Sequence, residues 1–249
     1  MIRRIPSERR ELELVETSAL SPSVRRFVWR SVDGRPFDFL AGQWMKLYLP
    51  GGLDRDYSIA SPPRPLDAPG SDRFELAITR VEGGPGSAAL FALEPGARIA
   101  CLGPNGLFVR EDRHRDAPAV YVATGTGLAP LRAILLDELA RAEPTPQWLL
   151  FGCRAEEDLL YRDELEALAR RHSRFRYVPT LSRPTEDWKG RRGYVQTHLP
   201  ALAADLAALG GAPPHYYVCG LTKMIDDVRR TLKETLGVDR RCIHTERYD

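Results

Sequence analysis

The stretch Ala119-Val-Tyr-Val-Ala-Thr124, followed by Gly125-Thr126-Gly127-Leu128-Ala-Pro130, constrains the fold more than any other part of the chain. Its first residues are apolar and rich in β-branched and aromatic types, and Pro118 bounds them upstream. That pattern predicts a short strand buried on both faces, as in a parallel sheet. The glycines then let the backbone turn sharply and approach a ligand. A helix is predicted next, with Leu128, Leu131, Leu135, Leu136 and Leu139 at helical spacing. Pro130 falls in its first turn, where a missing N–H costs nothing. Strand, glycine turn and helix amino end together make an anion site, because free N–H groups and the helix dipole both favour a pyrophosphate. Pro130 occupies the third glycine position of G-x-G-x-x-G, so the usual dinucleotide fingerprint is absent. Alone, the stretch fits equally a plain strand-to-helix turn of any α/β domain.

The rest of the chain divides at this point. Upstream, short strands are predicted at 11–17, 24–30, 44–49, 55–61, 73–81 and 98–102, with Pro and Gly turns between them. One helix at 87–93 interrupts them. Many short strands with frequent turns predict a small antiparallel barrel, here ended by the turn Gly103-Pro-Asn-Gly106. A charged linker, Arg110–Asp116, follows. Beyond it, apolar strands at 119–123, 148–151, 175–181 and 216–219 alternate with helices at about 160–172, within 195–209, and at 222–236, and Cys242–Thr245 closes the chain. Such alternation predicts a parallel sheet with helices on both faces and ligands at the carboxyl ends of the strands. Gly125, Gly152 and Gly220 all fall at those ends.

The totals exclude several classes. A length of 249 residues allows one or two cores. A net charge of +2 implies no polyanion partner, so no nucleic acid is expected. No apolar run is long enough to span a bilayer, and Met1-Ile-Arg-Arg-Ile-Pro lacks a signal core, so a cytoplasmic protein without membrane insertion is expected. Cys101, Cys153, Cys219 and Cys242 form no C-x-x-C pair, which argues against a disulfide framework, an iron–sulfur cluster or a zinc knuckle; no metal site is expected.

Six short motifs lie along the two halves: Arg55-Asp56-Tyr57-Ser58, Gly84-Pro85-Gly86-Ser87, Gly103-Pro-Asn-Gly-Leu-Phe108, Thr124 to Pro130, Cys219-Gly220-Leu221 and Glu246-Arg-Tyr248-Asp249. Each has an ordinary reading. Arg55 to Ser58 fits an edge strand, Ser87 an N-cap, Cys219 a small buried residue, and the last four residues a frayed tail. Together, and over nearly the whole length, they resemble the ferredoxin–NADP reductase family of flavoproteins, in its form without a fused iron–sulfur domain.

The resemblance implies an N-terminal six-stranded antiparallel β-barrel that binds FAD, residues 1–113, and a C-terminal α/β Rossmann-like parallel-sheet domain that binds NAD(P)H, residues 114–249. Arg55, Asp56, Tyr57 and Ser58 would form the flavin motif. A ring can cover the isoalloxazine, a hydroxyl can bond its edge, and a guanidinium can pair with the pyrophosphate. Gly84 to Ser87 resembles the flavin-phosphate loop in its FAD-type version. Thr124, Gly125, Thr126, Gly127 and Pro130 would meet the nicotinamide nucleotide, with Cys219, Gly220 and Leu221 beside the nicotinamide. Ser58, Cys219 and Glu246 would surround the flavin edge, Glu246 as proton relay or positioning group and Tyr248 as the ring over the flavin face. Asp249 departs from chains that end on the aromatic ring. Nothing nearby in sequence lowers the Cys219 pKa, so it is not read as a nucleophile.

For the nicotinamide cofactor, Arg154, Ser182 and Arg183, with Arg191 and Arg192 further on, resemble a 2′-phosphate set. NADPH is therefore favoured over NADH. The implied reaction takes a hydride from NAD(P)H to FAD and passes electrons to a separate acceptor: a ferredoxin, a flavodoxin, an oxygenase component or free flavin. Arginines near the N-terminus and Arg25-Arg26 offer attraction to an acidic carrier. A monomer is expected. The alternatives are a flavin or ferric reductase of the same fold and a nucleotide-binding module without turnover.

Overall fold

A computed structural model describes residues 5–63 and 72–248. Its first half is a sheet of β1 (Glu8–Ala19), β2 (Val24–Ser31), β3 (Trp44–Leu49), β4 (Leu53–Ser58), β5 (Arg73–Thr79) and β6 (Arg98–Asn105). The spatial order is β4-β3-β6-β1-β2-β5, and every pairing is antiparallel. Alternation drives the curl. Leu12 and Leu14, Phe27 and Trp29, Met45 and Leu47, Phe74 and Leu76 all turn inward and are fully or almost fully buried. Just past β4, Ile59 bridges Leu76 on β5, so the two edges meet and the sheet closes into a half-barrel. Helix α1 (Pro85–Phe91) seats Leu90 in the same core.

The second half is a parallel sheet of β7 (Ala119–Thr124), β8 (Gln147–Cys153), β9 (Phe175–Leu181), β10 (Arg191–Arg192), β11 (His215–Gly220) and β12 (Ile243–Arg247). Its order is β10-β9-β8-β7-β11-β12. Helices α2 (Leu128–Leu139) and α3 (Arg162–Arg171) cover one face through Leu131, Leu135 and Leu165. Helices α4 (Leu199–Ala207) and α5 (Thr222–Arg230) cover the other through Leu199, Leu202, Ile225 and Val228. The chain runs outward from β7 through β8 and β9, then returns to β11 on the other side of β7. Strand order therefore reverses at β7, and the crevice at its carboxyl end is where such sheets bind ligands. No helix among the described residues is long and apolar enough to cross a membrane.

Several expectations shift. The turn expected at Gly103 is instead the end of β6, which continues to Asn105 by pairing with β1 and, past a register shift, with Trp44. The fourth strand starts at Leu53 and ends at Ser58, and α1 starts two residues early, on Pro85. Helix α5 stops at Arg230 and gives way to a π-turn over Thr231–Thr235. The two-residue β10 carried no strand signal. The segment read as a charged linker is not a solvated tether. Arg110 is buried, pairs with the buried Glu138 of α2 at 3.3 Å, and donates to the His114 and Ala117 carbonyls.

Candidate active site

The carboxyl ends of β7, β8, β9 and β11 lie side by side, because Thr124 registers with Gly152, Cys153 with Leu181, and Cys219 with Ala123. After Thr124, a single 3-10 turn over Gly125–Gly127 leads into α2. Gly125 has φ +53°, and a Cβ built on it would meet nothing within 4 Å, so the bare backbone faces open space. Gly127 answers a different demand. A Cβ there would come within 2.3 Å of the Cys219 carbonyl oxygen, so only glycine lets the turn lie against β11. Pro130 is buried in the first turn of α2. Leu221 is exposed beyond Gly220, at the start of α5.

The two halves meet here. Ser58, the last residue of β4, donates its hydroxyl to Glu246 Oε1 at 3.0 Å, across 188 positions of sequence. Glu246 on β12 registers with Cys219 on β11. Tyr248 donates its backbone N–H to the Gly220 carbonyl at 3.2 Å. Its residue exposure is 37 %, while its phenol group faces Cys219, Glu246 and Ser58, and burial followed by the Cys219 thiol holds its pKa well above the ordinary range. The tail is thus docked as far as Tyr248; Asp249 lies outside the described residues. Burial, and then the Glu246 carboxylate, raise the Cys219 thiol as well, so it stays protonated and is no ready nucleophile.

Burial pushes the Glu246 carboxyl up from 4.5 to about 7, and only the Ser58 hydroxyl opposes the shift. A carboxyl raised in this way stabilises the fold while protonated. That contribution is complete below pH 4.5 and is lost as the pH rises through about 7. At about 1.4 kcal/mol per pH unit the full span is worth roughly 3 kcal/mol. Melting of the apoprotein should therefore fall between about pH 4.5 and 7 and level off above, and Glu246→Gln should flatten that slope. A slope unchanged in the variant would show that Glu246 titrates as an ordinary carboxyl.

On the barrel side, Arg55, Asp56 and Tyr57 precede Ser58 on β4. Arg55 is exposed, and its side chain lies over Gly86, where an added Cβ would approach its Cγ to 2.9 Å. The flavin motif and the Gly84–Ser87 loop are therefore in contact. Tyr57 is half-buried, and Asp56 pairs with Lys46 at 2.8 Å. Ser87 departs from both of its sequence readings. Gly84 is the N-cap of α1 and Pro85 its first residue, while the buried Ser87 hydroxyl accepts from the Val81 N–H and bonds the Val81 and Gly84 carbonyls. It fastens the loop and has no free hydroxyl to offer a phosphate.

Arg154 and Ser182-Arg183 come together at the ends of β8 and β9, where the Arg183 N–H donates to the Arg154 carbonyl at 2.8 Å. Both guanidinium groups are exposed, and among the described residues neither has an ion pair or side-chain hydrogen bond. Arg191 and Arg192 differ. Arg191 meets His198, and Arg192 is bound by the Thr185, Glu186 and Trp188 carbonyls. Arg25 and Arg26 are likewise engaged, on Phe91 and on Glu75 with Glu16, so they form no free basic patch. Arg3 and Arg4 lie outside the described residues.

Sequence reasoning missed the network behind the turn. Arg132 of α2 donates to the Ala60 carbonyl and to Glu75 Oε1, at 2.7 and 2.8 Å, and forks onto Glu164 of α3. Its guanidinium sits 4.0 Å over the Tyr161 ring, whose hydroxyl also donates to Glu75. Thr79 on β5 meets Thr126 in the turn itself, at 3.3 Å. The available signal was a charge inside the apolar run Leu131–Leu136.

A half-barrel and a parallel sheet sharing a carboxyl-end crevice, lined by a serine, a cysteine, a glutamate and a terminal tyrosine, define a two-domain nucleotide-dependent flavin oxidoreductase. Residues 11–109 match the oxidoreductase FAD-binding domain, and residues 121–230 the oxidoreductase NAD-binding domain. The chain is 51% identical over 249 residues to ferredoxin–NADP reductase B of Sorangium cellulosum, covering 98% of this chain and 100% of the relative. It is 35% identical over 206 residues to the phenol 2-monooxygenase reductase component of a Pseudomonas species, covering 80% of this chain but 55% of that protein. The crystal structure of the Amycolatopsis cytochrome P450 reductase superposes with a TM-score of 0.84 at 29% identity, covering 97% of this chain and 70% of that one. The chain belongs to the ferredoxin–NADP reductase family and is an NAD(P)H-dependent FAD-containing reductase.

Proposed function

We propose that this protein carries electrons from NADPH through FAD to a separate ferredoxin or oxygenase component, with Ser58, Cys219, Glu246 and Tyr248 as its reaction site. The observation that carries the reading is the Ser58–Glu246 hydrogen bond, which joins the end of the flavin motif to the strand beside Cys219. Residues up to 113 would hold FAD and residues from 114 onward the nicotinamide nucleotide. The donor set fits both. Arg55 offers an exposed guanidinium beside the Gly84–Gly86 loop, and Gly125 offers bare backbone at a helix start. Arg154 and Arg183 offer unpaired cations for a 2′-phosphate, with Ser182 between them.

Held by the Arg55–Ser58 strand and the Gly84–Gly86 loop, FAD would supply the conversion between two-electron hydride chemistry and electron transfer to the acceptor. The chain's own groups orient and enclose. Tyr57 and Tyr248 supply ring faces that exclude water. The Ser58 hydroxyl orients the Glu246 carboxyl, which is poised near neutral pH to take up a proton and return it to the buried edge of the site. Cys219 stays a neutral thiol that shapes the path.

The acceptor follows from relatives: one is named a ferredoxin–NADP reductase, another a reductase component of phenol 2-monooxygenase. The unpaired cysteines suit a reducing cytoplasm. The test is stopped-flow reduction of the purified yellow protein by NADPH and by NADH, followed by mixing with a ferredoxin. Fast bleaching by NADPH and reoxidation by the ferredoxin are expected. Bound flavin that neither nucleotide bleaches would defeat the proposal. A protein that loses its flavin on gel filtration and turns over only with added flavin would make it a flavin reductase instead.

A further inference from the structure

The chain has five histidines, and three of them meet toward the amino ends of β11 and β12. His114 ends the 3-10 turn Asp112–His114, His215 opens β11, and His244 is the second residue of β12. One ring nitrogen from each lies within 4.8 Å of the others. His215 Nδ1 and His244 Nε2 are 2.9 Å apart. The rings of His114 and His215 stack at 4.1 Å, and Tyr217 backs His244 at 4.6 Å. His114 is 8% exposed, and its Nδ1 is buried without any hydrogen-bond partner. Such an orphaned nitrogen costs about 1–3 kcal/mol. No protein group among the described residues bonds it, which leaves its lone pair or proton available to a ligand.

Burial lowers the pKa of all three rings, and for His215 and His244 the neighbouring histidines add to this. The Glu111 carboxylate faces His114 and His244 but is paired with Arg113 at 2.9 Å, and the Arg110 and Arg113 guanidinium groups face the same rings, so an ion here would be held by the imidazoles and not by a negative field.

We propose that His114, His215 and His244 bind a divalent first-row transition ion, with zinc as the reference case. Imidazoles without thiolates select zinc, nickel or copper over magnesium or calcium. Each neutral ring gives one lone pair. The hydrogen bond between His215 and His244 is replaced, the proton it shared moves to a ring nitrogen facing away, and the rings tilt from stacking to convergence. The ion would tie the turn between the two sheets to β11 and β12. Those strands carry Cys219 and Glu246 on the same face as His215 and His244, since the positions differ by even numbers. His215 is four strand residues from Cys219, about 13 Å, and His244 two from Glu246, about 7 Å, so the ion would sit beside the redox centre without sharing a residue with it.

The test uses the untagged holoprotein with zinc alone, read by native mass spectrometry and titration calorimetry. One zinc per chain is expected. His215→Ala should weaken it by about 100-fold or more, while His172→Ala, outside the cluster, should leave it unchanged. Zinc should also protect the partly exposed His215 and His244 of the wild-type protein from carbethoxylation, a measurement that does not depend on a variant folding. No zinc uptake, uptake undiminished in His215→Ala, or unprotected histidines would each overturn the proposal. None of these readouts depends on turnover.

Discussion

Arg132→Met is expected to remove about 2–3 kcal/mol of folding stability, because it takes one of two guanidinium partners from Glu75, a carboxylate that the fold has already desolvated. The Arg132 and Glu75 side chains are 9% and 10% exposed, and their ion pair is 2.8 Å long. Glu75 would keep Arg26 and the Tyr161 hydroxyl, yet lose the donor that also binds the Ala60 carbonyl. Tyr161 would lose its cation while held at φ +53°, a backbone region that large side chains rarely adopt. Methionine keeps the packing volume, so the loss would report charge rather than a cavity. Chemical denaturation measures it, and Arg132→Met with Glu75→Gln should regain part of the loss because the two changes share one network. A single-variant loss below about 1 kcal/mol would place this network with ordinary surface pairs. The clamp joins β5 of the barrel to α2, whose amino end is the Gly125–Gly127 turn. Nucleotide affinity should therefore fall along with stability.

Arg154→Ala combined with Arg183→Ala is expected to raise KM for NADPH by about 10- to 100-fold per guanidinium, the range for a lost hydrogen bond to a charged group. KM for NADH should move little. The asymmetry is the point, because the 2′-phosphate is the difference between the two nucleotides. Neither arginine has another side-chain partner among the described residues, so their removal should leave the melting temperature in place. Equal effects on both nucleotides would assign the arginines to a general electrostatic role. An unchanged NADPH preference would move the specificity elsewhere.

The layer order and most elements were legible from local pattern. Strands β3 and β9 match their predicted bounds, and α2 covers its predicted leucines. Alternation, periodicity and turn residues act within a few positions, so the sequence carries them directly. The strand-end glycines Gly125, Gly152 and Gly220 were legible for the same reason, while the other site residues came from the family resemblance. Their convergence was expected from family resemblance, and the Ser58–Glu246 bond is its geometric form.

Local pattern by itself thus determined a curled antiparallel sheet followed by a parallel sheet with a glycine turn at its crevice. The tertiary structure alone decided which polar groups are spent and which are free. Ser87 is consumed by its own loop, Arg26 by Glu75, and Arg192 by nearby carbonyls, while Arg154 and Arg183 remain open. It also decided that Arg132 spans 57 positions to Glu75, and that His114 meets His215 and His244. The reason is physical. Backbone conformation is set by neighbours along the chain, whereas burial and pairing of charge depend on which distant elements pack together.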